Sequence, residues 1–207
     1  MKFVMFVEGH TEHRALAEFL KRWLDPQLSR PVGVATVRFD GWAQLVRDSP
    51  VKAKLYLQAP KQDVIAVIAL IDLYGPTLYS ADKTDAAERY VWAKQHLESN
   101  VGHPKFLQFF AVHETEAWLL SQPSIFPVEV RGSLAAKAKQ PETVNFDEPP
   151  ATLLDRLYMS KFKRHYRKTE DGRDLFGKLD PQVASEKCPS LKALLDEMLR
   201  LAREAGL

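Results

Sequence analysis

At 207 residues, with 45% hydrophobic and 27% charged residues, the chain is long enough to bury a full core, and one domain with a small appendage accounts for it. A formal net charge of +2 is too small to announce a nucleic-acid partner, so any polyanion-binding surface has to rest on where the charges sit. Cys188 is the one cysteine and excludes an internal disulfide; the longest apolar run, Val64 to Ile71, is too short to cross a bilayer; and nothing at the amino terminus resembles a secretory leader. A cytoplasmic location is therefore expected.

Lys2 to Val7 has the character of a short buried strand, and Thr11 is the expected N-cap of a helix with Leu16, Phe19, Leu20, Trp23 and Leu24 on one face. Val32 to Phe39 is a β-branched segment bounded by Pro31 and Gly41, and a second helical stretch begins at Trp42, Leu45 and Val46. Asp63 to Leu73 contains a continuous apolar run, which suits a central strand covered on both faces of a parallel sheet. Ala86, Tyr90, Val91, Lys94 and Leu97 follow helical spacing, Phe106 to Val112 supplies a fourth strand, and Ala117 to Leu120 opens another helix. Strands alternating with helices predict a mostly parallel α/β sheet flanked by helices. Beyond Ser121 the alternation stops. The segment to Pro150 is expected as loop or small insertion, Leu153 to Lys168 as an amphipathic basic helix, and Ser190 to Ala205 as a closing helix.

Acids fall at the predicted strand ends: Glu8 after the first, Asp72 after the third, Glu114 and Glu116 after the fourth. Ligands of open α/β sheets bind outside the carboxyl ends of the strands, so separate segments deliver carboxylates to the edge where a site is expected. Close carboxylates repel, and a divalent cation resolves the repulsion. All-oxygen ligation without a cysteine pair or a His-rich set favours Mg²⁺ or Mn²⁺ over zinc. An acid after a strand is also an ordinary helix N-cap or first-turn residue, a reading that fits Glu12 and Glu116. Asp40 is a lesser candidate. His10, His13 and His113 are expected at the surface or around the ligands, and Cys188 as a packed thiol.

Val7-Glu8-Gly9-His10-Thr11-Glu12 resembles the VEGxTE signature that opens Toprim domains of the OLD-family nucleases. Ile71-Asp72-Leu73-Tyr74-Gly75 resembles the acidic third-strand motif of that family. His113-Glu114-Thr115-Glu116-Ala117-Trp118-Leu119-Leu120 is similar to the EfEA(W/L)L segment of a small bacterial Toprim-like family, whose closing segment Lys187-Cys188-Pro189 also resembles. The resemblance implies a Toprim-like (Rossmann-like) fold with a C-terminal helical appendage. Residues 1–121 would be the α/β core, and 122–207 an irregular insertion and helical part packed on the same domain. It further implies two-metal phosphoryl transfer, association with an ATPase, and a place in defence against foreign DNA. One departure stands out: many relatives have Asp-x-Asp where this chain has Asp72 followed by Tyr74.

The expected activity is Mg²⁺- or Mn²⁺-dependent cleavage of nucleic-acid phosphodiester bonds, with DNA the expected substrate. Glu8, Asp72 and one of Glu114 and Glu116 would hold metal, and Glu12 would be a further ligand or orienting base. Relatives add a charge-neutralising lysine, for which Lys168 and Lys187 are the candidates. Lys161, Lys163, Arg164, Arg167 and Lys168 form an acid-free stretch with Tyr158, Phe162 and Tyr166, which fits either a phosphate-backbone grip with base stacking or a solvated basic helix. The rival reading is a non-catalytic metal-binding or regulatory subunit whose 122–150 region docks an ATPase. A primase-like transferase is more distant, since Gly9 lacks the other glycines of a P-loop.

Overall fold

The computed structural model describes residues 1–59, 63–143 and 148–207. The described elements in chain order are β1 (Lys2–Val7), α1 (His10–Leu24), β2 (Gly33–Arg38), α2 (Trp42–Leu57), β3 (Val64–Asp72), α3 (Ala86–Val101), β4 (Phe106–Ala111), α4 (Glu116–Leu120), α5 (Val128–Leu134), α6 (Pro150–Phe162), α7 (Arg173–Lys178), α8 (Pro181–Lys187) and α9 (Pro189–Glu204). The strands form one parallel sheet in the order β2-β1-β3-β4. No helix among the described residues is long and apolar enough to cross a membrane.

The continuous apolar run of β3 is explained by its place: it pairs with β1 on one side and β4 on the other, and both of its faces are covered. Phe3, Met5 and Val7 of β1 point into one core with Ile68 and Leu70 of β3, whereas Val4 and Phe6 enter the other with Val67, Ala69 and Ile71. The register slips between Lys2 and Phe3, which lets Ile65 and Ala66 enter the same core in succession. Helices α2 and α3 cover one face; α1 and the helices after β4 cover the other. Edge strand β2 is correspondingly half-exposed.

In α1, Leu16, Phe19, Leu20 and Leu24 recur at helical spacing and are buried, each worth roughly 1.5–3 kcal/mol relative to exposure. Phe19 stacks on Trp118 with ring centroids 5.9 Å apart, tying α1 to α4. Helix α9 buries Leu191, Leu194, Leu195, Met198 and Ala202 by the same logic.

Three expectations are corrected. The N-cap of α1 is Gly9, in an extended conformation without a capping side chain; Thr11 lies inside the first turn and is buried. The 122–150 region holds α5 and short 3-10 turns among its described residues, a helix obscured in the sequence by Gly132 and flanking prolines. The basic helix stops at Phe162 rather than Lys168. Lys163 takes a left-handed φ of 57° and its N–H donates to the Met159 carbonyl at 3.1 Å. Asp155 then accepts the Tyr166 N–H at 2.9 Å, and Asp171 accepts both arms of the Arg164 guanidinium at 2.7 Å. The chain bends back instead into a wide π-type turn over Lys168–Gly172.

Candidate metal and phosphoryl-transfer site

Helices after β1 and β3 leave toward opposite sides of the sheet, so the crevice between these two strands is where the strand order reverses. Glu8 and Asp72 stand at its mouth. Hydrogen bonding continues past the strands: Leu73 N–H donates to the Ala111 carbonyl and Tyr74 N–H to the His113 carbonyl, each at 2.9 Å. This places the Glu114–Glu116 loop beside Asp72.

Ligand oxygens of Asp72, Glu114 and Glu116 lie within 4.8 Å of one another. Glu116 is 1% exposed and Glu114 8%. Glu8 stands behind this group, its Oε1 accepting the Asp72 N–H at 2.7 Å. Asp72 Oδ1 accepts the Thr115 N–H at 3.0 Å, and Thr115 Oγ1 donates to Glu12 Oε1 at 3.0 Å. Glu114 Oε2 accepts the Ala151 N–H at the start of α6 at 2.8 Å. Gly9 lets the Glu12 carboxylate lie against the backbone, since a β-carbon there would push Glu12 Oε2 out of its place.

Lys168 reaches in from the turn after α6, its Nζ 3.2 Å from Glu116 Oε2 and 3.6 Å from Glu114 Oε1. Burial pushes the Glu8 carboxyl up to about 7 against the Asp72 and Trp42 N–H groups, which favour its charged form. Burial likewise lifts Glu116 to about 7 despite Lys168, and raises Asp72 well above the usual carboxylate range with the help of the Glu8 charge. Burial disfavours the Lys168 ammonium, but Glu116, Asp72 and Glu114 outweigh it and hold its pKa above the ordinary lysine value. Two unit charges about 4 Å apart repel by roughly 4 kcal/mol at an effective dielectric constant of 20, so the acids cannot all ionise without added positive charge. An all-carboxylate donor set of this size fits a hard divalent cation.

The other expected residues fall elsewhere. Asp40 is exposed, its carboxylate 4.0 Å from Arg38, and it does not join the clustered acids. His10 is exposed, and His13 Nδ1 shares a hydrogen bond with Thr36 Oγ1 at 3.0 Å. His113 is buried, which lowers its pKa. Lys187 donates to the Ser121 carbonyl at 2.6 Å, so Lys168 is the candidate lysine paired with the clustered acids. Cys188 is fully buried, and burial raises its thiol pKa. In the basic stretch, Arg164 pairs with Asp171 and Arg167 with Glu170 at 2.6 Å, while Tyr158 and Tyr166 are core residues with Phe162 packed against them. Tyr158 and Tyr166 are buried and do not face solvent for base stacking; Lys161, Lys163, Arg164 and Arg167 are exposed, the two arginines in ion pairs. A groove of about 830 Å³ between α3 and α9 holds none of the clustered acids. A second groove of about 610 Å³ follows Asp72 directly and is lined by Tyr74, Tyr79, Lys83 and Arg89.

The sequence profile of a family described as "Domain of unknown function (DUF4276)" matches residues 7–199, from the end of β1 into α9. The chain belongs to that family. This DUF4276 chain is also similar in fold to the C-terminal region of the Burkholderia pseudomallei OLD protein, at 16% identity over 97% of each chain with a TM-score of 0.50. The C-terminal region of the Xanthomonas campestris pv. campestris OLD protein aligns at 17% identity over 99% of this chain and 98% of that one, with a TM-score of 0.47. No curated protein matches the DUF4276 sequence. Thr115 is the site residue not foreseen in the sequence; its position between Glu114 and Glu116, ahead of an apolar helix, was the available signal.

Proposed function

We propose that the chain is a divalent-cation-dependent phosphoryl-transfer enzyme, a Toprim-type nuclease cleaving nucleic-acid phosphodiester bonds. The observation that carries this reading is the cluster of Asp72, Glu114 and Glu116 at the carboxyl edge of a parallel sheet. Asp72, Glu114 and Glu116 would hold Mg²⁺ or Mn²⁺, with Glu8 and Glu12 supporting them. The bound cation would supply Lewis acidity at the scissile phosphate and lower the pKa of the attacking water. Glu8, with a carboxyl near 7, is suited to accept a proton at its oxygens. Lys168 offers positive charge to a phosphate oxygen, and the Tyr74–Arg89 groove is the nearest described surface for the rest of a nucleic-acid strand. The resemblance to OLD-family nucleases adds an ATPase partner and a defence role to the proposal.

With Mn²⁺, the purified chain should nick plasmid DNA, and Asp72→Asn should slow nicking by at least about a hundredfold. Equal nicking by parent and variant would reject the site. The Glu114–Lys168–Glu116 ion pairs favour a second reading, a non-catalytic subunit whose acids are structurally neutralised. It predicts neither nicking nor any stabilisation by Mn²⁺.

A further inference from the structure

We propose that Lys168 is a displaceable counter-cation: its ammonium fills the Asp72–Glu114–Glu116 cluster in the metal-free protein and leaves when a divalent ion enters. The inference rests on the metal-site reading above and adds a linkage to it. Nζ lies 3.2 Å from Glu116 Oε2 and 3.6 Å from Glu114 Oε1, among the oxygens that a divalent ion would share. Such an ion would sit roughly 2.1–2.5 Å from its oxygens, so an ammonium kept 3.2 Å from one of the same atoms would be held close against a double positive charge. Its double charge also repels the ammonium more strongly than any one carboxylate attracts it.

The geometry permits the exchange. The Lys168 side chain is 42% exposed, whereas that of Glu116 is 1% exposed, so the lysine has a path to solvent that the acid lacks. The turn carrying it is held at its far end. Gly172 packs against Thr11 and Tyr166 so closely that a β-carbon there would lie 2.9 Å from the tyrosine oxygen and 3.3 Å from Thr11 Cγ2. Arg164 and the Arg167 N–H both bind the Asp171 carboxylate. The backbone stays, and only the flexible four-carbon stem has to move. Displaced Lys168 remains at the mouth of the acid cluster with its charge unpaired, where a phosphate of the substrate can take it up. Cation entry and the release of a phosphate ligand thus become one event.

The test is a Mn²⁺ titration of the full chain followed by electron paramagnetic resonance, together with thermal melts in EDTA and in Mn²⁺, for the parent, Lys168→Met and Lys168→Gln. The glutamine variant keeps hydrogen-bonding capacity if the methionine variant folds poorly. Both variants should bind Mn²⁺ at least about tenfold more tightly than the parent, because no ion pair has to be broken first. They should also melt lower in EDTA and gain more from Mn²⁺ than the parent does. If the parent binds Mn²⁺ and the variants bind equally or more weakly, displacement is wrong and the metal site stands. If neither parent nor variants bind, the metal site and displacement fail together.

Discussion

Glu116 and Glu142 are both carboxylates withdrawn from water, and burial raises the pKa of each. Their partners differ. Glu142 accepts the Ser190 N–H at 2.9 Å and the Leu191 N–H at 3.3 Å, at the positive end of the sixteen-residue helix α9. Glu116 Oε2 has the Lys168 ammonium, and among the described residues no other partner. A carboxylate satisfied by fixed backbone donors works as a cap. One satisfied by a flexible cation can trade it for another cation, and this is what separates a structural acid from a candidate ligand.

Removing each acid should break the comparison most sharply. Glu142→Ala should cost about 1–2 kcal/mol in urea denaturation, by removing the cap from two part-buried N–H groups and a favourable dipole contact, and should leave the response to Mn²⁺ intact. Glu116→Gln should do the reverse, abolishing stabilisation by Mn²⁺ while costing little in EDTA. If Glu142→Ala loses the response or Glu116→Gln keeps it, the roles have been assigned the wrong way round.

A smaller effect concerns pH. The folded carboxyls of Glu8 and Glu116 sit near 7 against an ordinary 4.5, so between these values the folded state binds more protons than the unfolded one. Stability in EDTA should therefore be greatest below about pH 4.5 as far as these groups decide it, and should fall as pH rises to about 7. Saturating Mn²⁺ should flatten that slope. Denaturant midpoints at several pH values, with and without the ion, measure it, and a flat profile in EDTA would contradict the strained acid cluster.

The smallest effect is a control away from both acids. Lys163 holds a left-handed φ of 57°, so Lys163→Gly should stabilise the chain by about 0.5–1 kcal/mol with no change in Mn²⁺ binding. A loss of stability would mean that its exposed side chain contributes more than its backbone costs.

The strands and the acids at their ends were legible in the sequence because β1 and β3 are apolar on both faces and end abruptly in Glu8 and Asp72. Parallel order then fixed which edge the acids share. The partners within that edge were only partly legible: the resemblance offered Lys168 and Lys187 alike, and the contacts of Lys168 with Glu114 and Glu116 depend on a long return loop, while Thr115, which holds Asp72 and Glu12 across 43 and 103 residues of chain, was not singled out. The basic stretch misled for a related reason. Periodicity showed charges and aromatics at helical spacing, but the acids that neutralise Arg164 and Arg167 lie beyond it, at Asp171 and Glu170.

The bonds around Thr115 close a circuit. Glu8 holds the Asp72 amide, Asp72 holds the Thr115 amide, the Thr115 hydroxyl holds Glu12, and the first turn of α1 returns from Glu12 to Glu8. A side chain in such a ring cannot rotate without breaking its neighbour's bond, so the conformational entropy of these acids is lost once, during folding. An arriving cation would then meet Asp72 already aimed, and its binding energy would go to the contact itself rather than to ordering that side chain.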